Sequence, residues 1–242
     1  MRNKLEKQLI IPISQCDNKS CLNITGIFNI FMDLATEHGA EIGVGMDVLA
    51  EKGLFWVASK TKIKINHTPA MLSRVSAATW PETPNRIRCN RYYYIKNDET
   101  TLVEGKTEWI MVDAESGRPS KIEGVYPDGF EHCPDVVCSE PFCRLGTHFE
   151  NCEKLAEYTV CSTDIDVSQH MNNVAYIRAV LGAFTTKEIE DMKIKEIEVA
   201  YKLQCYEGEK LTFLVKKEEN IREIGVIKQD ETTACVVRFV CG

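Results

Sequence analysis

The order of structural signals repeats in this chain, and that repeat limits the fold more than any single motif. A short strand candidate, Gln8–Ser14, leads into a stretch where Ile24, Ile27, Phe28, Phe31, Leu34, Ala35 and His38 recur at three- and four-residue spacing. That spacing predicts an amphipathic helix of about four turns. Gly39, Gly43 and Gly45 end it, and a run of strands follows. The same order returns further on. Glu157–Ser162 reads as a short strand, Val174, Ile177, Val180, Leu181 and Phe184 as a helical stripe, and more strands follow. Asn172 and Asn173 stand ahead of the second stripe as N-cap candidates. One long helix packed on an antiparallel sheet is a two-layer α+β arrangement, and each half can form one.

The strand candidates are Trp56–Ile65, Val75–Trp80, Arg88–Ile95, Leu102–Val112, Ile194–Cys205, Lys210–Lys217, Glu223–Lys228 and Thr232–Val240. In the first, Lys60, Lys62 and Lys64 alternate with Thr61, Ile63 and Ile65, which predicts one wet face and one buried face. The boundary between halves falls in an irregular stretch holding Pro127, Pro134 and Pro141. We take residues 1–135 as the first domain, 136–150 as a linker and 151–242 as the second domain.

Composition excludes several classes. Of the 242 residues, 44% are hydrophobic and 27% charged, the balance of a core-forming globular chain. The apolar run Leu9–Ile13 is short and broken by Pro12, too little for a membrane span or a secretory core. A cytoplasmic location without membrane partners is the expectation. The net charge of −7 argues against a nucleic-acid partner. The 11 cysteines are an odd number, so free thiols rather than a disulfide framework are expected. Cys133, Cys138 and Cys143, with His132 and His148, match no usual zinc spacing. His38 and His67 read as satisfied or surface histidines.

The densest polar stretch runs from Thr163 to Asn173, between the short strand and the second helix. If extended, it points Asp164, Asp166, Ser168 and His170 to one side, opposite Ile165 and Val167. A carboxylate, a hydroxyl and an imidazole would then gather ahead of a helix N-terminus, whose N–H groups and partial positive charge suit a developing oxyanion. Such a set fits ester or thioester hydrolysis, with a carboxylate or histidine activating water or a carboxylate attacking directly. Capping and turn formation are the alternative use of the same residue types.

The segment Asp164-Ile165-Asp166-Val167-Ser168-Gln169-His170-Met171-Asn172-Asn173-Val174-Ala175-Tyr176 resembles the active-site motif of acyl-carrier-protein thioesterases, roughly D-x-D-x-N-x-H-x-N-N-x-x-Y. Leu54-Phe55-Trp56-Val57, Thr79-Trp80-Pro81, Glu108-Trp109-Ile110-Met111, Ser120-Lys121-Ile122 and Ala200–Cys205 resemble further family segments in the same order. The resemblance implies a tandem hotdog fold, each half a long helix wrapped by an antiparallel sheet. It also implies an acyl-chain pocket largely in the first half and catalytic residues in the second. By position, Asp166 is the acidic catalytic residue and His170 the catalytic histidine. Ser168 stands at the family's asparagine, and Gln204 at its glutamate beside Cys205.

An amide cannot take a proton as a carboxylate can. If Gln204 replaces the base, Asp166 is the first substitute, with Glu198 or Glu207 behind it. Cys205 is weighed as a nucleophile served by His170, against an inert buried thiol. The resemblance implies hydrolysis of fatty acyl thioesters of acyl carrier protein, without cofactor or metal, by a monomer (as a pseudo-dimer) or a homodimer. The acidic carrier needs a basic docking face, for which Arg86, Arg88 and Arg91, or Lys60, Lys62 and Lys64, are the candidates. Alternatives are an acyl-CoA thioesterase, a catalytically weak acyl-binding protein and a hotdog dehydratase.

Overall fold

A computed structural model describes residues 2–98 and 100–242. The chain divides into two compact units: Met1–Ser59 with Ile63–Glu140, and Lys60–Lys62 with Pro141–Gly242. In the first, α1 (Ile24–Glu41) is preceded by β1 (Leu5–Ile10) and followed by α2 (Met46–Glu51), β2 (Leu54–Ile65), β3 (Arg74–Pro81), β4 (Arg88–Asn97) and β5 (Thr100–Asp113). The strand order β1-β3-β4-β5-β2 is that of an antiparallel sheet, with Leu5 opposite Thr79 and Tyr93 opposite Gly105.

The first helix forms where its apolar period predicts, and Asn23 caps it by accepting from Gly26 N–H. It buries Ile27, Phe28, Phe31, Leu34 and Ala35, and Phe31 stacks on Tyr93 of β4 at a centroid distance of 4.6 Å. His38 lies in the same interface. Its Nε2–H donates to the Arg2 carbonyl, and its Nδ1 accepts from Arg91. Burial and the Arg91 charge hold its pKa below the usual value, so the neutral ring is the form that fits.

In the second unit, β6 (Glu153–Thr159) leads to α3 (Asn173–Leu181) and α4 (Thr186–Met192). The strands β7 (Ile194–Tyr201), β8 (Lys210–Glu218), β9 (Ile221–Lys228) and β10 (Thr233–Cys241) follow. The order here is β7-β10-β9-β8-β6, again antiparallel. Val174, Ala175, Tyr176, Ile177 and Val180 of α3 are buried, and Tyr176 meets Tyr201 of β7 edge-on. The helix stops at Leu181, short of the expected Phe184, because Gly182 ends it and Thr185 starts α4 with a capping box.

Two sequence expectations fail on the sheet surfaces. Lys62 is not on a wet face: it is 3% exposed, 3.3 Å from both Glu196 and Glu198, and it donates to the Pro141 carbonyl. In the first unit, Lys64 pairs with Glu140 and Lys106 donates to the Glu140 carbonyl. The proline-containing stretch thus supplies carbonyls and carboxylates that hydrophobic patterning does not reveal. Arg91 is likewise buried against His38 and Thr79, and Arg88 pairs with Glu108. Of the proposed basic residues, Arg86 and Arg88 stay exposed.

Phe149 packs directly on Gly225 of β9, where a Cβ would come within 2.5 Å of the ring. Only glycine permits that approach. Gly225→Ala should cost about 1–3 kcal/mol through overpacking. Phe149→Ala should cost about 3–5 kcal/mol. Because removing the ring relieves the clash, the double variant should cost less than the sum in a denaturant titration.

Candidate active site

The residues of the motif lie on one loop between β6 and α3. The loop is not extended as a whole. Ser162–Asp164 form a 3-10 turn, Ile165 bridges to Met171, and Gln169 takes a positive φ of 64°. Asp164 therefore does not share a face with Asp166. It is buried under the loop, 1% exposed, where it accepts from Tyr158 Oη–H (2.7 Å), Cys161 N–H (2.8 Å) and Arg178 (2.6 Å). Burial pushes its pKa up, but these donors outweigh burial and lower it overall.

Asp166 is the central group of the loop. Its Oδ1 accepts from both the N–H (2.8 Å) and the hydroxyl (2.7 Å) of Ser168. Its Oδ2 accepts from Asn172 Nδ2 at 2.8 Å. Burial raises its pKa, but the Ser168 and Asn172 donors and the His170 charge bring it below the ordinary aspartate value. Asn172 acts twice, since its Oδ1 also caps α3 by accepting from Val174 N–H at 2.7 Å. His170 Nδ1 lies 3.2 Å from the Met171 carbonyl, which places the proton on Nδ1 and leaves Nε2 an acceptor in the neutral ring.

Met171 N–H donates to the Cys205 carbonyl, so the segment after β7 lies along the loop. It brings Gln204 into the neighbourhood, exposed and accepting from Tyr206 Oη–H at 2.8 Å. Cys205 itself is 0% exposed. Burial raises its thiol pKa, which is the opposite of an activated nucleophile, and the nucleophile expectation for Cys205 is corrected on that ground. Glu198 is 1% exposed and faces Lys62 and Cys143 N–H, and Glu207 sits exposed beside the Gly208 turn. An ion-paired, buried Glu198 is not poised as a base. Cys133, Cys138 and Cys143 are free thiols, and among the described residues no group of His, Cys, Asp and Glu is arranged to hold a metal.

Sequence patterning missed that the first unit builds the same loop. Asp17, Ser20, Cys21, Leu22 and Asn23 correspond in order to Asp166, Gln169, His170, Met171 and Asn172. Asp17 Oδ1 accepts from Lys19 N–H as Asp166 Oδ1 does from Ser168 N–H. Asp17 N–H donates to Cys21 O, and Asp166 N–H to His170 O. Ser20, like Gln169, has a positive φ. Asn23 N–H meets Gln15 O, and Asn172 N–H meets Asp164 O, both at 2.8 Å. The signal was an Asp six residues before an Asn that caps the helix, present in both halves. Only the second copy carries an imidazole.

Known proteins share this architecture. An acyl-ACP thioesterase from Bacteroides thetaiotaomicron superposes with a TM-score of 0.85 at 22% identity, covering 99% of this chain and 98% of that one. The 12:0-ACP thioesterase of Umbellularia californica gives 0.79 at 15% identity, covering 99% and 97%. The fold is thereby that of a tandem hotdog protein. Residues 2–129 match the acyl-ACP thioesterase N-terminal domain and residues 148–238 its C-terminal domain. The chain belongs to the acyl-ACP thioesterase family. Two chloroplastic oleoyl-acyl carrier protein thioesterases of Arabidopsis thaliana are 23% and 26% identical over 84% and 81% of this chain. The chain spans 61% and 58% of their length.

The two environments of cysteine can be told apart by alkylation. Native protein treated briefly with iodoacetamide at pH 8 should be labelled at exposed Cys161 and spared at Cys205, read by peptide mass spectrometry. Rapid labelling of Cys205 would contradict its burial.

Proposed function

We propose that this protein hydrolyses fatty acyl thioesters of acyl carrier protein, releasing free fatty acid and the carrier thiol. The observation that carries the reading is the ionised Asp166 carboxylate, held by Ser168 and Asn172 beside His170 and ahead of α3. Family membership and the relatives' names support the substrate class.

Both lone pairs of Asp166 Oδ1 are taken by Ser168, whereas Oδ2 keeps one for reaction. A carboxylate of lowered pKa is fully charged at neutral pH but takes a proton from water poorly. The remaining Oδ2 lone pair is open for direct attack on the carbonyl, with His170 left to activate water. Asp166 Oδ2 adds to the thioester carbonyl, and the carbonyl oxygen gains charge near the Asn173 N–H at the start of α3. The C–S bond breaks and the thiolate leaves, which gives an acyl-Asp166 anhydride. His170 Nε2 then takes a proton from water as the hydroxide attacks the acyl carbon. Asp166 is freed, and the imidazolium returns the proton to the thiolate. Ser168 supplies two of the bonds that aim Asp166, so a serine serves at this position. Gln204 orients water without exchanging a proton. Val167, Leu203 and Tyr206 are exposed beside the loop and offer an apolar rim to the incoming acyl arm.

Release of fatty acid from acyl-carrier-protein substrates of varied chain length tests the reading, with matching acyl-CoAs alongside. Asp166→Ala and His170→Ala should each lower kcat about 10²- to 10⁴-fold without unfolding. Cys205→Ala should keep turnover. Rapid-quench mass spectrometry of the wild type should find the acyl group on the Asp166 peptide. Binding without turnover across the panel would replace hydrolysis with acyl binding.

A further inference from the structure

The strongest clue lies in how the two loops differ. Both share the aspartate turn, the positive φ and the asparagine cap. Yet Asn23 Nδ2 donates to a backbone carbonyl, that of Cys16, at 3.2 Å. Asn172 Nδ2 donates instead to the Asp166 carboxylate. Beneath the second loop lies the cluster of Asp164, Tyr158 and Arg178. Gln15, Leu9 and Asn29 stand at the corresponding positions of the first unit, so that loop forms without any member of the cluster.

A buried carboxylate is costly unless paired and bonded. The first unit shows that the loop's backbone does not require one. We propose that Asp164, Arg178 and Tyr158 are positioning residues that aim Asn172, and through it Asp166, at the substrate carbonyl. This rests on the functional reading above. The route is short. The Arg178 guanidinium, on α3 and half exposed, fixes the Asp164 carboxylate, and Tyr158 on β6 holds its other oxygen. The Asp164 carbonyl accepts Asn172 N–H at 2.8 Å, and the Asn172 amide then reaches Asp166 Oδ2. The cluster ties strand and helix to the same backbone unit, so it sets the direction of the amide relative to α3. None of the three residues touches the reacting atoms.

The test uses Asp164→Asn, Asp164→Gln (the residue of the first unit), Arg178→Met, Arg178→Lys and Tyr158→Phe in the whole chain. Steady-state rates on an acyl-carrier-protein substrate give kcat, KM and the acid limb of the pH profile. Carboxyl-carbon NMR follows the titration of Asp166. The Asp164 variants and Arg178→Met should lower kcat about 10- to 100-fold with KM within threefold, and move both the acid limb and the Asp166 titration. Arg178→Lys should recover much of the loss, and Tyr158→Phe should lose severalfold. Folded variants with wild-type kcat and an unmoved Asp166 titration would overturn the proposal. So would a loss of thermal stability with kcat unchanged, which is the mark of a merely structural cluster. Should the Asp164 variants not fold, Arg178→Met and Tyr158→Phe decide by the same criteria. A wild-type protein inactive on every thioester would sink the functional reading, and the Asp166 titration would still judge the positioning claim.

Discussion

The site depends on one side chain making two hydrogen bonds. Asn172 closes the first turn of α3 with its carbonyl oxygen and holds Asp166 with its amide. Helix capping is normally a local matter of about 1 kcal/mol. Here the cap also fixes the Asp166 carboxylate to the end of a helix that is buried against the sheet. The geometry of the loop is therefore inherited from the packing of α3. A mobile loop could carry the same residues, but it could not keep them at a set distance from the helix N-terminus.

Packing of the irregular stretch follows a related logic. Its residues have no ladder of their own, so their carbonyls seek donors elsewhere. Lys106 meets Glu140 O in the first unit, and Thr233 meets Thr147 O in the second. Buried lysines on strands are the donors that such a segment needs. Their charge is answered by carboxylates, as at Lys62 with Glu196 and Glu198. Removing one partner of such a pair leaves a buried charge alone, which is far more costly than removing both.

Much of this was legible in the sequence. The apolar stripe of α1 and the repeated order of elements foretold both helices, because helical period and burial are coupled. The motif from Asp164 to Asn173 falls between β6 and the start of α3, where its place between a strand and a helical stripe predicted. Its internal geometry was not legible, since alternation assumes an extended backbone and the loop turns at Ser162–Asp164 and Gln169. The lysine face of β2 misled for a different reason. A charge every second residue reads as solvent contact, but the partners of Lys62 are remote in sequence. Arg91 misled in the same way, because only the fold brings His38 beside it. Cys205 is buried beside Tyr176 of α3, a contact that no local pattern around it reports.

The paired loops carry a meaning for how such a protein changes over time. In an assembly of identical subunits, a substitution in the loop appears in every copy at once, and each copy must stay competent. Fusion into one chain removes that coupling. The first loop has the aspartate turn and helix cap, with Cys21 at the imidazole position and Lys19 at the hydroxyl position. The second carries a buried aspartate, a tyrosine and an arginine that the first lacks. One backbone scaffold, encoded twice in a single chain, thus carries two different sets of side chains.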